Sequence, residues 1–174
     1  MIRVKETTLI DVLEITLLDC FEDHRGEYVE TYNEKIYFDA GIDVKFVQDD
    51  YSISERHVLR GLHGDAKTWK LISCPVGKFY LVVVNCDSAS PAFGKWESFL
   101  LSEKLKKQVL IPPMYGNGHL VLSNYAMFHY KQSEYYDPET QFTYRWDDPA
   151  FGIWWPVKNP IQSRRDEMGE YVGL

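Results

Sequence analysis

A succession of short apolar segments, each closed by turn residues, limits the fold of this chain more than any other sequence feature. The clearest segment runs from Phe79 to Cys86 and carries Val, Leu and Tyr on both faces, as a strand buried between two layers does. About ten such segments in 174 residues predict an all-β sandwich or barrel. A double-sheet jelly roll with short helices fits best, and such barrels can enclose a ligand cavity.

The remaining predicted strands lie between turns over residues 10–18, 27–32, 44–51, 58–63, 69–74, 96–101, 108–111, 119–122 and 126–133. One short helix is predicted over 33–40, because Asn33 can cap its first turn and Gly41 suits a left-handed terminator. Asp166 and its neighbours are predicted to form a turn or a short helix. The length fits one domain spanning residues 1–174, with no repeat or linker.

The charge balance excludes some partners. The chain has 26 acidic and 19 basic residues, a net charge of −7, which argues against binding nucleic acid or an anionic membrane. Cys20, Cys74 and Cys86 match no disulfide framework or zinc spacing, and favour reduced thiols in a reducing compartment. The first residues lack a signal-peptide pattern, and no apolar run approaches the ~20 residues of a membrane span, so we expect a cytoplasmic location.

A metal site is the first chemistry to consider in such a barrel, because five histidines are present. Metal-binding cupins carry two His one residue apart and then a Glu, but here His63 is followed by Gly64 and Asp65, so we expect no metal. A Gly-rich nucleotide loop and a serine nucleophile elbow are also absent, and we expect no cofactor. The remaining chemistry is acid–base catalysis by a His base and Tyr acids, with Arg and Lys to hold a charged substrate.

Eight short strings carry a resemblance to one family. They are FVQD at 46–49, RGLH at 60–63, IPP at 111–113, YK at 130–131, YYDPE at 135–139, RWDDP at 145–149, GIWWP at 152–156 and PIQSRRD at 160–166. In this order and spacing they resemble the dTDP-4-dehydrorhamnose 3,5-epimerase family from about residue 8 to residue 167. The resemblance implies a cupin jelly roll without a cofactor, and a nucleotide-linked 4-keto-6-deoxy sugar as substrate. It also implies a homodimer in which N-terminal strands, about residues 1–35, are exchanged between subunits.

The same resemblance implies the catalytic residues. The family's base corresponds to His63, its orienting carboxylate to Asp166 and its acid to Tyr130. Arg60 and Lys70 match positions that hold the charged and keto groups of the substrate.

Further substrate contacts are implied by position. Arg25 and Glu30 match residues that reach into the partner's site, and Gln48 matches a substrate-contacting position. Tyr136 belongs to the YYDPE string, and Asn117 stands where the family has a second active-site His.

These roles suit the chemistry. A C4 ketone acidifies the C–H bonds at C3 and C5, because the anion that forms is delocalised onto oxygen as an enolate. A neutral His is a suitable base near neutral pH, and a carboxylate on its other nitrogen stabilises the imidazolium. A Tyr across the cavity can deliver a proton to the opposite face, and Lys70 can stabilise the enolate oxygen.

Three departures from the family pattern point to an unusual substrate. They are Gly64-Asp65 after the base, Asn117, and Asp50 after Asp49. Gly64 is expected to enlarge the pocket beside the base. The features resemble a branch that acts on a GDP-linked 4-keto-6-deoxyheptose for bacterial capsule sugars, which we take as the first expectation. A dTDP-4-keto-6-deoxyhexose is the alternative.

Two other functions stay open. A ketoisomerase also begins by deprotonating C3, and only its product separates it from an epimerase. A non-catalytic sugar-nucleotide-binding module on the same barrel would not need the base, carboxylate and Tyr to be intact. The sequence also leaves open whether C3 alone or both carbons are inverted.

Overall fold

The computed structural model describes residues 1–172, which form thirteen strands and two short helices. The strands are β1 (Ile2–Glu6), β2 (Leu13–Leu17), β3 (Cys20–Asp23), β4 (Gly26–Val29), β5 (Gln48–Glu55), β6 (Leu59–Asp65), β7 (Lys70–Ser73), β8 (Lys78–Asn85), β9 (Trp96–Ser102), β10 (Lys107–Ile111), β11 (Tyr115–Val121), β12 (Tyr125–Gln132) and β13 (Gln141–Thr143). The helices are α1 (Glu34–Asp39) and α2 (Arg164–Glu167). The prediction of an all-β chain with short helices is confirmed.

Two antiparallel sheets form the body of the fold. One has six strands in the order β1-β2-β10-β7-β12-β5, and the other has five in the order β13-β6-β11-β8-β9. Strands that are distant in sequence are neighbours in both sheets, which is the long-range pairing of a jelly roll. The strands β3 and β4 form a separate hairpin.

The space between the sheets is apolar at one end. Its core includes Ile72 and Phe128 from the six-stranded sheet and Phe79, Leu81 and Val83 from the five-stranded sheet. Because alternate residues of β8 point to opposite faces, its other side chains lie on the outside of the five-stranded sheet. There the C-terminal segment covers them, so β8 is buried on both faces, as its sequence predicts.

The outer face of the six-stranded sheet is covered by α1. Tyr37 of the helix is buried against Ile15, Leu71 and Leu110 of the sheet. The helix begins as predicted, with the Asn33 side chain accepting a hydrogen bond from the backbone N–H of Ile36.

The boundaries differ from prediction mainly in the shortest strands. The strands β1, β3 and β13 are unpredicted. Every residue of β3 is exposed and β13 has only three residues, so neither shows a readable alternation of buried and exposed positions. In this single chain, β2 pairs with both β1 and β10. The exchange of N-terminal strands between two subunits stays a prediction. Within residues 1–172, no helix has the length and apolar character that a membrane span requires.

Candidate active site

A cavity of about 220 Å³ opens between the two sheets at the end opposite the apolar core. Polar side chains from both sheets and from the C-terminal segment line it. They are Ser52, Arg60, His63, Lys70, Asn117, His119, Tyr130, Gln132, Tyr136, Gln141 and Arg165. Six of the ten predicted site residues therefore meet here, and Asp166 lies directly behind the wall.

His63 and Asp166 form a hydrogen-bonded pair at the cavity wall. The Nε2 of His63 lies 2.6 Å from Oδ1 of Asp166, and the histidine side chain is 27% exposed while that of Asp166 is 2% exposed. Because Nε2–H donates to the carboxylate, Nδ1 carries the lone pair that can accept a proton. The arrangement is that of a histidine base held by a buried carboxylate.

The carboxylate of Asp166 is itself held in place by two neighbours. It accepts a hydrogen bond from the backbone N–H of Gly61 at 3.2 Å and one from the Ser163 hydroxyl at 2.7 Å. Burial acts to raise the pKa of Asp166, but the hydrogen bonds from His63 and Ser163 outweigh it, and the pKa lies below its ordinary value. Asp166 is therefore ionised at neutral pH and can stabilise a protonated His63.

Gly61 makes this contact possible by the close approach of two strands. Its φ is +123°, and a Cβ there would lie 2.5 Å from the Cα of Gly118 on β11. Only glycine adopts this backbone conformation without strain. The approach leaves the N–H of Gly61 directed at Asp166.

Tyr130 stands on the opposite sheet from His63. It belongs to β12 of the six-stranded sheet, whereas His63 belongs to β6 of the five-stranded sheet, and both line the cavity. Burial raises the pKa of Tyr130, and the charge of Asp50 and the nearby Tyr136 raise it further. The phenol is therefore protonated at neutral pH and can act as a proton donor.

Lys70 is a buried cation in the same cavity. Its residue is 8% exposed, and burial lowers its pKa to about 8, with Arg165 adding to the effect and Asp65 opposing it. An ammonium with this pKa is still mostly protonated at pH 7, where it can stabilise developing negative charge.

Arg60 and Asn117, for which substrate contact is predicted, also line the cavity. The Nε of Arg60 donates to the Ser54 hydroxyl at 3.0 Å. Asn117 is 6% exposed, and its Nδ2 donates to the backbone carbonyl of His63 at 2.9 Å. Asn117 therefore holds the backbone of His63 in place.

Gln48 lies behind the cavity wall, although the resemblance implies contact with substrate. Its Oε1 accepts a hydrogen bond from the backbone N–H of Tyr136 at 2.9 Å, and its Nε2 donates to Asp50 at 2.7 Å. The side chain of Tyr136 lines the cavity. The side chain of Gln48 thus links the segment that carries Tyr136 to Asp50 of its own strand.

Arg25 and Glu30 lie away from the cavity of their own chain. Arg25 is in the turn of the β3–β4 hairpin, where its guanidinium pairs with Asp23 at 2.6 Å. Glu30 follows β4 directly. Their contribution to the site of a partner subunit stays a prediction.

The expectation that Gly64 enlarges the pocket is wrong. Gly64 pairs with Phe142 of β13, and a Cβ at Gly64 would lie 1.9 Å from the Phe142 ring. Phe142 packs with the cluster on the outer face of the five-stranded sheet. The room left by the missing side chain is therefore filled by an aromatic ring, outside the cavity.

Sequence reasoning missed five polar residues of the cavity. They are Ser52, His119, Gln132, Gln141 and Arg165. For two of them the alternation of β11 and β12 was the available signal, because His119 lies two positions after Asn117 and Gln132 two positions after Tyr130, on the same face of each strand. Among residues 1–172, no group of three His, Cys, Asp or Glu side chains is placed to bind a metal ion.

A second cavity, of about 240 Å³, lies between the segment that includes β4 and the six-stranded sheet. Within residues 1–172, neither a histidine nor a tyrosine lines it, whereas both line the first cavity. The cavity that contains His63 is therefore the candidate active site.

Comparison with known proteins identifies the family of this chain. The sequence profile of the dTDP-4-dehydrorhamnose 3,5-epimerase family matches residues 6–172. The chain belongs to this family. A family member from Salmonella typhimurium is 41% identical over 171 residues, which cover 95% of this chain and 93% of the relative.

Two solved structures share the fold across its whole length. The dTDP-4-dehydrorhamnose 3,5-epimerase of Bacillus anthracis, with TDP and PPi bound, superposes with a TM-score of 0.93 at 32% identity, covering 99% of this chain and 100% of that one. The dTDP-6-deoxy-D-glucose-3,5-epimerase of Legionella pneumophila, in complex with dTDP-4-keto-L-rhamnose, gives 0.92 at 34% identity, covering 98% and 93%.

Family membership settles the broad activity and corrects one expectation. The chain is an isomerase, a sugar-nucleotide epimerase. These relatives are named for dTDP sugars or hold thymidine nucleotides, and they give no support to the expected GDP-heptose substrate or to a role in capsule synthesis. They favour the alternative, a dTDP-linked hexose.

Proposed function

We propose that this chain inverts C3 and C5 of dTDP-4-keto-6-deoxyglucose through an enolate, as a dTDP-4-dehydrorhamnose 3,5-epimerase. One observation carries the proposal. His63 of the five-stranded sheet, paired with Asp166 of α2, and Tyr130 of the six-stranded sheet line one cavity, which also contains the buried cation Lys70.

Proton removal is assigned to His63. Its Nδ1 takes the proton from the carbon beside the ketone, and the ionised carboxylate of Asp166 stabilises the imidazolium that results. The negative charge moves onto the C4 oxygen, where the ammonium of Lys70 balances it. A low-dielectric site strengthens this interaction, and Lys70 is almost wholly buried.

Proton return is assigned to Tyr130. Inversion requires that the new proton arrive on the face opposite the base, and Tyr130 stands on the opposite sheet. Because its pKa is raised, the phenol stays protonated while the enolate forms, and it can then donate its proton to the carbon. Each proton transfer by a positioned side chain contributes about 10²–10⁴-fold in rate.

Binding of the diphosphate is assigned to arginines of the cavity. Arg60 and Arg165 are both exposed and both line it, and guanidinium groups bind phosphate oxygens in a bidentate manner. The choice of a thymidine nucleotide rests on the relatives described above. Arg25 and Glu30 of a partner subunit are proposed as further contacts in a homodimer.

A substrate panel tests the proposal. The purified protein is incubated in D₂O with dTDP-4-keto-6-deoxyglucose or with GDP-4-keto-6-deoxyheptose, and the products are identified by NMR. The proposal predicts deuterium at C3 and C5 of the dTDP sugar with inversion at both carbons. Deuterium at C3 alone makes the enzyme a 3-epimerase, and a 3-keto product makes it a ketoisomerase. Exchange with the GDP sugar alone contradicts the proposed substrate, and binding without exchange contradicts catalysis.

A further inference from the structure

His119 has the position of a substrate contact that the roles above do not include. On β11, alternate residues face the space between the sheets, so His119 points the same way as Asn117. In the pairing of β11 with β6, Asn117 lies opposite His63 and His119 lies opposite Arg60. The imidazole of His119 therefore lines the cavity beside Arg60, next to the pair formed by Asn117 and His63.

Two aromatic rings fix the orientation of this imidazole. It is stacked on Phe128, with ring centroids 4.1 Å apart and an interplanar angle of 9°. It also meets Phe79 at 5.2 Å in a tilted arrangement. His119 thus lies at the boundary between the apolar core and the cavity, with its ring held against the core.

The imidazole of His119 is neutral and incompletely hydrogen-bonded. The residue is 4% exposed, and burial, with the nearby charges of Arg60 and His63, lowers its pKa to about 3. Its Nε2 is buried and has no hydrogen-bond partner among residues 1–172. A phenylalanine would fill the same space without leaving a polar atom unpaired, so the nitrogen atoms need a function to explain them.

We propose that His119 hydrogen-bonds the sugar of the substrate, and so helps to determine which sugar is accepted. This rests on the proposed function. A neutral imidazole offers one donor and one acceptor, which suits a hydroxyl or a carbonyl oxygen better than a phosphate. The arginines Arg60 and Arg165 supply the charge for the phosphates, and the sugar is the part of the substrate that must lie beside His63.

The test compares His119→Phe with the unchanged protein. Phenylalanine keeps the stacking on Phe128 and removes both ring nitrogens. We expect a retained melting temperature, an affinity for dTDP within about twofold, and a kcat/KM on the dTDP-linked keto sugar that falls by about 10- to 100-fold. His119→Gln, which restores hydrogen-bonding groups, is expected to recover part of this loss.

Tyr115→Phe is the matched control. Tyr115 lies on the same face of the same strand, but its hydroxyl donates to the backbone carbonyl of Ile10 at 3.0 Å, away from the cavity. Removing that hydroxyl is expected to leave kcat/KM within about twofold of the unchanged protein. A loss in this control equal to that in His119→Phe would assign the effect to packing and overturn the proposal.

A spectroscopic measurement covers the case in which His119→Phe does not fold. In ¹⁵N-histidine-labelled His63→Asn protein, the side-chain nitrogen signals of His119 are expected to shift with the dTDP-linked keto sugar and not with dTDP alone. Equal shifts with both ligands, or a kcat/KM for His119→Phe within twofold of the unchanged protein, would overturn the proposal. Absence of turnover by the unchanged protein would instead refute the proposed function.

Discussion

The Nε2 of His63 lies 2.6 Å from the Oδ1 of Asp166, although 103 residues separate them in the chain. The β6 strand carries the histidine, and the short helix α2 carries the aspartate and packs against that strand. The N–H of Gly61 and the hydroxyl of Ser163 hold the carboxylate from two sides. This contact fixes the orientation of the imidazole, as the proposed role of His63 as a base requires.

Asp166→Asn tests this orientation. An amide in place of the carboxylate cannot stabilise the imidazolium, so kcat is expected to fall by about 10²- to 10⁴-fold. Steady-state kinetics measure it, and Ser163→Ala, which removes one hydrogen bond to the carboxylate, is the milder control. A kcat for Asp166→Asn within threefold of the unchanged protein would contradict the role.

The same substitution has a predicted pH dependence on stability. The pKa of Asp166 is depressed in the folded state, so the ionised carboxylate stabilises the fold above the unfolded pKa of about 4, and this is lost as the pH falls below it. Asp166→Asn should therefore reduce the free energy of unfolding more at about pH 7 than at about pH 3. Urea denaturation at the two pH values measures the difference.

Tyr130→Phe separates proton removal from proton return. The base is intact in this variant, so exchange of the substrate C–H with D₂O continues, but the proton donor on the opposite face is missing. Formation of the inverted product is expected to fall by about 10²- to 10⁴-fold. The rate of hydrogen–deuterium exchange that leaves the configuration of the carbon unchanged is expected to fall less. Tyr125→Phe, on the same strand and exposed, is the control. Equal losses of exchange and inversion would argue against Tyr130 as the acid.

Lys70 predicts an alkaline limit to activity. Its pKa is lowered to about 8, so the ammonium that balances the enolate is lost above that pH, and kcat/KM is expected to decline there. In Lys70→Gln the rate is lower throughout and the alkaline decline is absent. Lys78→Gln, an exposed lysine, should keep the decline. Persistence of the same decline in Lys70→Gln would show that another group causes it.

The titration of Lys70 also affects stability, with the same sign of pH dependence as Asp166 but in an alkaline window. Between about pH 8 and pH 10.5 the unfolded chain binds more protons at this lysine than the folded chain does. Its contribution to the free energy of unfolding therefore rises with pH across this window, and Lys70→Gln should remove that rise.

Gly64→Ala is predicted to destabilise the fold and leave the cavity unchanged. The new methyl group would meet the Phe142 ring, and overpacking of this kind costs about 1–3 kcal/mol. Urea denaturation measures the loss. The double variant Gly64→Ala with Phe142→Ala should lose less stability than the sum of the two single variants. Full stability of Gly64→Ala would show that Phe142 moves aside freely.

The sequence predicts the fold best where the residues of a single segment are enough to indicate its structure, without knowledge of its neighbours. The β8 strand is apolar on both faces and is buried on both, and α1 begins at the Asn33 cap. The three residues of β13 are too few for an alternation to be read.

The site is less accessible to such reasoning, because strand pairing determines it. Asn117 of β11 pairs with His63 of β6, and His119 pairs with Arg60. Between these two pairs β6 advances by three residues while β11 advances by two, so β6 has one extra residue. A bulge of this kind changes which residues face inward. Arg60 and His63 therefore share the cavity although simple alternation separates them, and Gly64 faces Phe142. The approach of Asp166 to His63 was expected only from the family resemblance.

The central claim, that His63 removes the proton beside the ketone, is tested most directly by deuterium exchange in His63→Asn. The unchanged protein and the variant are incubated in D₂O with dTDP-4-keto-6-deoxyglucose, and deuterium at C3 and C5 is followed by NMR, with circular dichroism to verify the fold. The account predicts exchange at both carbons in the unchanged protein and a loss of about 10²-fold or more in the variant. Exchange by a folded His63→Asn at the unchanged rate would contradict it.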